Sequence, residues 1–197
     1  MSPLTHFLAS WIIAAKTTDN PRDCRLVTLA GILPDADGLG LVADMVNNQI
    51  HHTDTYIYYP EYHHWLMHGA FDAVLTAGVL ACFARRRMRV ALLCLVTFHL
   101  HLLCDLVGSR GPSPEDLWPI FYLGPFSRNW MWLWHGQWAL YGWQNRVIGL
   151  GLFMCAMWIA VEREDTFVGV INRHADKVFV SVLKKWQGRF VGRLKSP

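Results

Sequence analysis

Apolar residues fall in runs along this chain, with short polar stretches and Gly/Pro breaks between them. Residues 4–16 predict an apolar helix opened by Ser2-Pro3, and 17–25 read as polar turn material. Residues 26–34 predict a short apolar helix that stops at Pro34. Asp35 to Gly40, with two Asp and two Gly, predicts irregular backbone. A further short helix is expected over 41–50 and a polar, aromatic loop over 51–62. Residues 64–84 read as one helix, Arg85-Arg86-Arg87-Met88-Arg89 as a basic turn and 90–107 as a second helix, which together make a helical hairpin. Gly108 to Pro114 breaks it, and 115–145 is Trp-rich without a clear element. Residues 146–161 form a third strong helix, and 165–187 a basic amphipathic one before a disordered tail. The expectation is an all-α fold: a bundle of several short, apolar, membrane-associated helices. Residues 1–164 form one helical domain, and 165–197 a basic amphipathic C-terminal helix and tail.

Composition turns the apolar runs into a membrane argument. Of 197 residues, 53% are hydrophobic and only 17% charged, where a soluble domain is nearer a quarter charged. Each apolar segment, at roughly 15 to 18 residues, is shorter than the ~20 needed to span a bilayer, so charge placement carries the reading. The basic turn at 85–89 and the basic C-terminal helix share the cytoplasmic side, and the Trp cluster at 130–143 lies at the opposite interface. The location read from this is a membrane, with a soluble cytoplasmic bundle as the alternative. A net charge of +3 is too mild for a nucleic-acid binder. The five Cys, without a CxxC, read as reduced, buried small hydrophobes. No secretory signal, phosphate-binding loop or serine-nucleophile elbow is visible.

The candidate chemistry lies in His6, Asp35, Asp37, His63, His64, His68, Asp72, His101 and Asp105. His101 and Asp105 are four apart and share one helix face, and His68 and Asp72 repeat that spacing on the partner helix. At about 1.5 Å per residue, His68 and Asp105 lie roughly equally far, about 27 Å, from the hairpin turn. An antiparallel hairpin therefore brings them together, far from the basic turn. Imidazole and carboxylate in so apolar a frame are expensive unless they pair, bind metal or line a wet cavity. One such pair alone is more simply a helix-joining hydrogen bond; six or more ligand-type groups at matched heights favour a divalent metal, zinc first and manganese second. A free carboxylate, Asp37 or Asp72, is the candidate general base; Asp72 could instead orient His68. His135, amid Trp130, Trp132, Trp134, Trp138 and Trp143, is a weak further candidate. The partners expected are a lipid membrane and a small-molecule or lipid-like ester. The rival reading is a non-catalytic membrane protein whose metal is a structural staple, serving as a scaffold or partner-binding module.

The order of these motifs resembles the metal-dependent hydrolases of bacterial inner membranes, the LexA-binding, inner-membrane-associated hydrolase type. The residues that carry the resemblance are Thr5-His6, Gly31-Ile32-Leu33-Pro34-Asp35-Ala36-Asp37, His63-His64-Trp65-Leu66-Met67-His68, His101-Leu102-Leu103-Cys104-Asp105 and Trp118-Pro119. The resemblance implies His6, Asp35, His63, His68, His101 and Asp105 as metal ligands, and Asp37 as a ligand or supporting carboxylate. A looser likeness, to zinc-dependent phospholipase C, implies a phosphodiester-type substrate. His64 stands where the inner-membrane hydrolase family has Arg, and Met67 where it has Thr. An Arg there would clamp a phosphate oxygen, and its absence favours the non-catalytic rival.

Overall fold

The computed structural model describes residues 1–63 and 65–194, with side chains through Gln187. His64 and residues 195–197, the last of the expected tail, lie outside the described residues. The architecture is all-α, with a two-residue antiparallel ribbon as its sheet among the described residues. Ser2 caps α1 (Pro3–Thr17): its hydroxyl accepts from Thr5 N, and Pro3 occupies the first turn, where no intrahelical donor is needed. Asn20 and Pro21 repeat that device for α2 (Pro21–Ala30), so the helix starts inside the stretch expected to be turn. A 3-10 segment, Leu33–Leu39, replaces the expected loop and feeds α3 (Gly40–His51), and a short α4 (Tyr58–Tyr62) lies in the expected aromatic loop.

The largest correction concerns 64–84. Helix α5 covers only Ala70–Cys82, and His68 stands in the irregular stretch before it. Gly69 is the N-cap, and Asp72 Oδ2 accepts from Gly69 N at 3.2 Å, so Asp72 closes the helix start. Helix α6 (Arg87–Gly108) begins within the arginine run, and α7 (Trp143–Arg163) is longer than the apolar pattern alone suggested. Both are long and apolar enough to cross a membrane, and α2 with 33–51, bent by 51°, qualifies as a broken third span. A second 3-10 segment, Phe167–Val170, precedes α8 (Arg173–Leu194), which runs on beyond the expected end at 187.

Helices α1, α2, α5, α6 and α7 pack around a core of Leu8, Trp11, Val27, Val90, Cys94 and Ile159. Ala14, Ala30, Ala77, Ala156 and Ala160 lie within it, small residues that let helix backbones approach closely, as membrane packing favours. Outward, α6 exposes Leu92, Val96 and Leu103, and α7 exposes Leu150, Met154 and Trp158, apolar surface suited to lipid. Strands β1 (Ile120–Phe121) and β2 (Met131–Trp132) pair beyond the C-terminal end of α6. There Trp138 N donates to Val107 O at 3.1 Å, which seats the Trp-rich stretch at the end of the bundle away from the arginine turn.

Candidate metal centre

Four elements deliver the site. Residue His6 comes from the first turn of α1, Asp35 and Asp37 from the 3-10 segment, His63 and His68 from the stretch before α5, and His101 and Asp105 from one face of α6. Thr97, one turn before His101, donates to Val27 O at 3.1 Å and ties α6 to α2. Gly31 ends α2 against α1: a Cβ there would meet Ser10 Oγ at 1.8 Å. That close approach puts the Gly31 carbonyl 2.9 Å from His101 Nδ1. A carbonyl only accepts, so Nδ1 carries a proton, and the neutral ring leaves its lone pair on Nε2.

That lone pair points inward. Ligand atoms of His6, Asp35, His101 and Asp105 all lie within 4.8 Å of one another. His101 Nε2 is 3.0 Å from Asp105 Oδ2 and 3.8 Å from Asp35 Oδ1, yet it forms no hydrogen bond. Proximity without hydrogen-bond geometry is what two donors aimed at one shared cation show. His6 Nε2 lies 3.1 Å from Asp105 Oδ1, and the His6 and His101 rings stack with centroids 3.8 Å apart. His6 Nδ1 and Asp35 Oδ2 are buried and also lack hydrogen-bond partners. Buried polar groups in native proteins are nearly always satisfied, so an unpartnered His101 Nε2 between the carboxylates of Asp35 and Asp105 fits a bound ion. The donor set, imidazole nitrogen and carboxylate oxygen, suits zinc or manganese.

Asp37 supports the cluster from behind. Its Oδ1 accepts from His63 Nδ1 at 2.7 Å and its Oδ2 from His68 Nδ1 at 2.8 Å, while Met67 N donates to Oδ2 at 3.3 Å. His68 thereby turns Nε2 toward Asp105 Oδ2, 3.6 Å away. This is the carboxylate–histidine pairing that fixes tautomer and ring direction around metals. Burial works against a charge on His68, but the carboxylates of Asp105 and Asp37 outweigh it and raise its pKa to about 9. For His6 burial prevails over Asp105 and lowers the pKa. The Met1 ammonium contacts Asp105 and donates to Ser109 Oγ at 2.7 Å, and Ser109 Oγ in turn donates to Asp105 Oδ1 at 2.8 Å.

Seven of the residues expected at the site thus gather here, four of them around one point, with His68 adjoining and His63 held through Asp37. Asp72 serves the start of α5, and the partner of His68 Nδ1 is Asp37. His135 is exposed in the turn after β2 and contributes no atom to the four-residue group. Sequence reasoning missed Ser109, four residues beyond Asp105, although that spacing was readable. It also missed Tyr59, which stacks on His63 with centroids 4.6 Å apart; burial, then the charges of Asp37 and Asp35, push its hydroxyl up to about 12. Asp35, His63, Asp105, Ser109, Tyr59 and Trp118 line a cavity of about 310 Å³ beside the cluster.

No curated protein and no solved structure matches the chain. The family model described as YdjM inner membrane protein matches residues 1–167, which includes every residue of the cluster. With two helices able to span a bilayer, the chain belongs to the YdjM inner membrane protein family.

Proposed function

We propose that this chain is a metal-dependent hydrolase of the inner membrane, acting on an ester and in the first instance a phosphoester. The observation that carries the reading is the convergence of ligand atoms of His6, Asp35, His101 and Asp105 within 4.8 Å of one another, with His101 Nε2 buried among them without a hydrogen bond. His6, Asp35, His101 and Asp105 would hold the ion, with His68 as a further ligand. When bound, a divalent metal supplies a Lewis acid for the ester oxygen and lowers the pKa of water toward neutrality. The chain's own residues supply the rest. Asp37 orients His63 and His68 and so acts as a positioning residue. Gly31 O orients His101. Ser109 and His6 hold the Asp105 carboxyl in its buried place. His63, at the cavity wall, stands where it can pass a proton to or from substrate.

The cavity also separates this reading from a purely structural staple, since a closed site with four protein ligands needs no space beside it. The basic turn faces the cytoplasm in this reading, so the metal centre opens toward the other side. Elemental analysis of the purified wild type beside His101→Ala and Asp105→Ala tests it. Stoichiometric zinc or manganese in the wild type, and its loss in both variants, is expected, together with metal-dependent turnover of bis(4-nitrophenyl) phosphate by the wild type alone. Equal metal in all three proteins overturns the site, and bound metal without turnover of any ester overturns the enzyme.

A further inference from the structure

The cavity at the cluster has a neighbour. A second hollow of about 320 Å³ is lined by Tyr59, Pro60, His63, Asp116, Trp118, Pro119 and Phe121. The two share Tyr59, His63 and Trp118. These three rings form the wall between them, with centroids 5.4 Å apart for His63–Trp118 and 6.3 Å for Tyr59–Trp118. The first hollow presents Asp35, Asp105, His63 and Ser109. The second presents aromatic rings and prolines, with Asp116 exposed at its edge. Trp118 is fixed in place: its N–H donates to Gln137 Oε1 at 3.0 Å, and Gln137 Nε2 donates back to its carbonyl at 2.8 Å, from a Gln that is itself buried. The first hollow also meets apolar surface on its other flank. Leu39, one of its lining residues, is 65% exposed and leads into α3, which exposes Val42, Met45, Val46 and Ile50.

We propose that the two hollows are one composite site for an amphiphilic phosphoester, its head against the His/Asp cluster and its hydrocarbon tail along Trp118, Pro119 and Phe121. The inference rests on the metal-centre reading above and adds the substrate class. A head alone would use only the first hollow, at the small end of the roughly 300–1,000 Å³ typical of ligand sites. A tail seated on a rigid aromatic wall gains roughly fourfold in affinity for each methylene taken from water.

The test uses the full-length, metal-loaded protein in detergent micelles, titrated with ethyl phosphate and decyl phosphate and followed by tryptophan fluorescence and calorimetry. Wild type is expected to bind decyl phosphate at least tenfold more tightly than ethyl phosphate. Trp118→Ala should collapse that ratio to within about threefold. Phe121→Ala, which leaves Trp118 and its Gln137 bonds in place, carries the same expectation should the tryptophan variant misfold. Partition into micelles is common to all three proteins and cancels in the comparison. A wild-type ratio near one, or a ratio unchanged in both variants, overturns the inference. Turnover of bis(4-nitrophenyl) phosphate without a chain-length effect leaves the hydrolase standing and removes the tail site. A chain-length effect without turnover supports the amphiphile site and counts against hydrolysis.

Discussion

The two ends of the bundle treat buried charge in opposite ways. At the arginine-turn end, buried Asp23 accepts from Arg85 N at 2.8 Å and Arg86 N at 3.2 Å, closing the link between α5 and α6. The Arg163 guanidinium there donates to Ala15 O and Thr18 O at the end of α1. On the exposed surface of that end, Lys16 meets Glu162 at 3.1 Å and Lys184 meets Glu164 at 2.6 Å. Each of these charges has a partner and a structural reason. At the opposite end His6 and His101 are as deeply placed and Asp35 is partly buried, yet each keeps an atom without a hydrogen bond. The same helices thus run from an end where polarity is used up in holding the fold to one where it is held in reserve. Among the described residues, only Arg110, Arg128 and Arg146 of the Lys and Arg side chains lie toward that second end, and the contrast in sign matches a chain oriented by its basic face.

The contrast breaks most readily at Asp37. Asp37→Asn removes the charge that orients His68 and His63, and metal affinity at neutral pH should fall roughly 10–100-fold. The pH profile distinguishes orientation from folding. In the wild type His68 carries a proton up to about pH 9, so a cation competes with that proton, and affinity rises as pH is raised toward that value. In Asp37→Asn the proton is held less tightly, and the rise should come at lower pH. Metal titration by calorimetry across pH 6–10 would reveal it (an estimated window around the imidazole range), and an unshifted profile would assign Asp37 no part in tuning the site.

Asp23→Ala sharpens the comparison from the other side. It strands two backbone donors that are otherwise satisfied, a penalty of about 1–3 kcal/mol, visible as a lower thermal midpoint in detergent. Metal content should stay at the wild-type level, because nothing at that end touches the cluster. Loss of metal together with stability would show that the two ends are not independent.

How much of this was legible in the sequence follows from the same division. The apolar runs of α1, α6 and α7 announce themselves, and the matched heights of His68 and Asp105 led correctly to one end of the hairpin. The reason given for His68 was nonetheless wrong in detail: Trp65, Leu66 and Met67 looked continuous with α5, but the chain from 65 to 69 is irregular and α5 starts at Ala70. The Asn20-Pro21 helix start was readable and was hidden by the polar composition around it. What could not be read is the support behind each imidazole. The Gly31 carbonyl has no signature in a one-dimensional sequence, and whether Asp37 or Asp72 faces His68 depends on how the 3-10 segment packs against the stretch before α5.

The smallest effect lies at Asp165, where the basic end departs from its own rule. Burial, and then the adjoining Asp176 carboxyl, raise the Asp165 pKa above the ordinary value despite Arg173 and Arg163 nearby. Asp176 is committed to Thr166, accepting from its N at 2.9 Å and its Oγ1 at 2.6 Å, so it cannot turn away. The folded protein therefore holds the Asp165 proton more tightly than the unfolded chain does. The stability this confers is fully present below the unfolded carboxyl pKa and is lost as pH rises through the folded one. Above the folded pKa the Asp165 charge beside Asp176 is a small liability, and Asp165→Asn should raise stability there by on the order of 0.5 kcal/mol and flatten the acid side of the stability curve. Thermal midpoints from pH 4 to 8 (an estimated range that brackets carboxyl titration) would read both. A variant whose curve parallels the wild type would mean that Arg173 and Arg163 already neutralise the pair, leaving the basic end with no charge out of place.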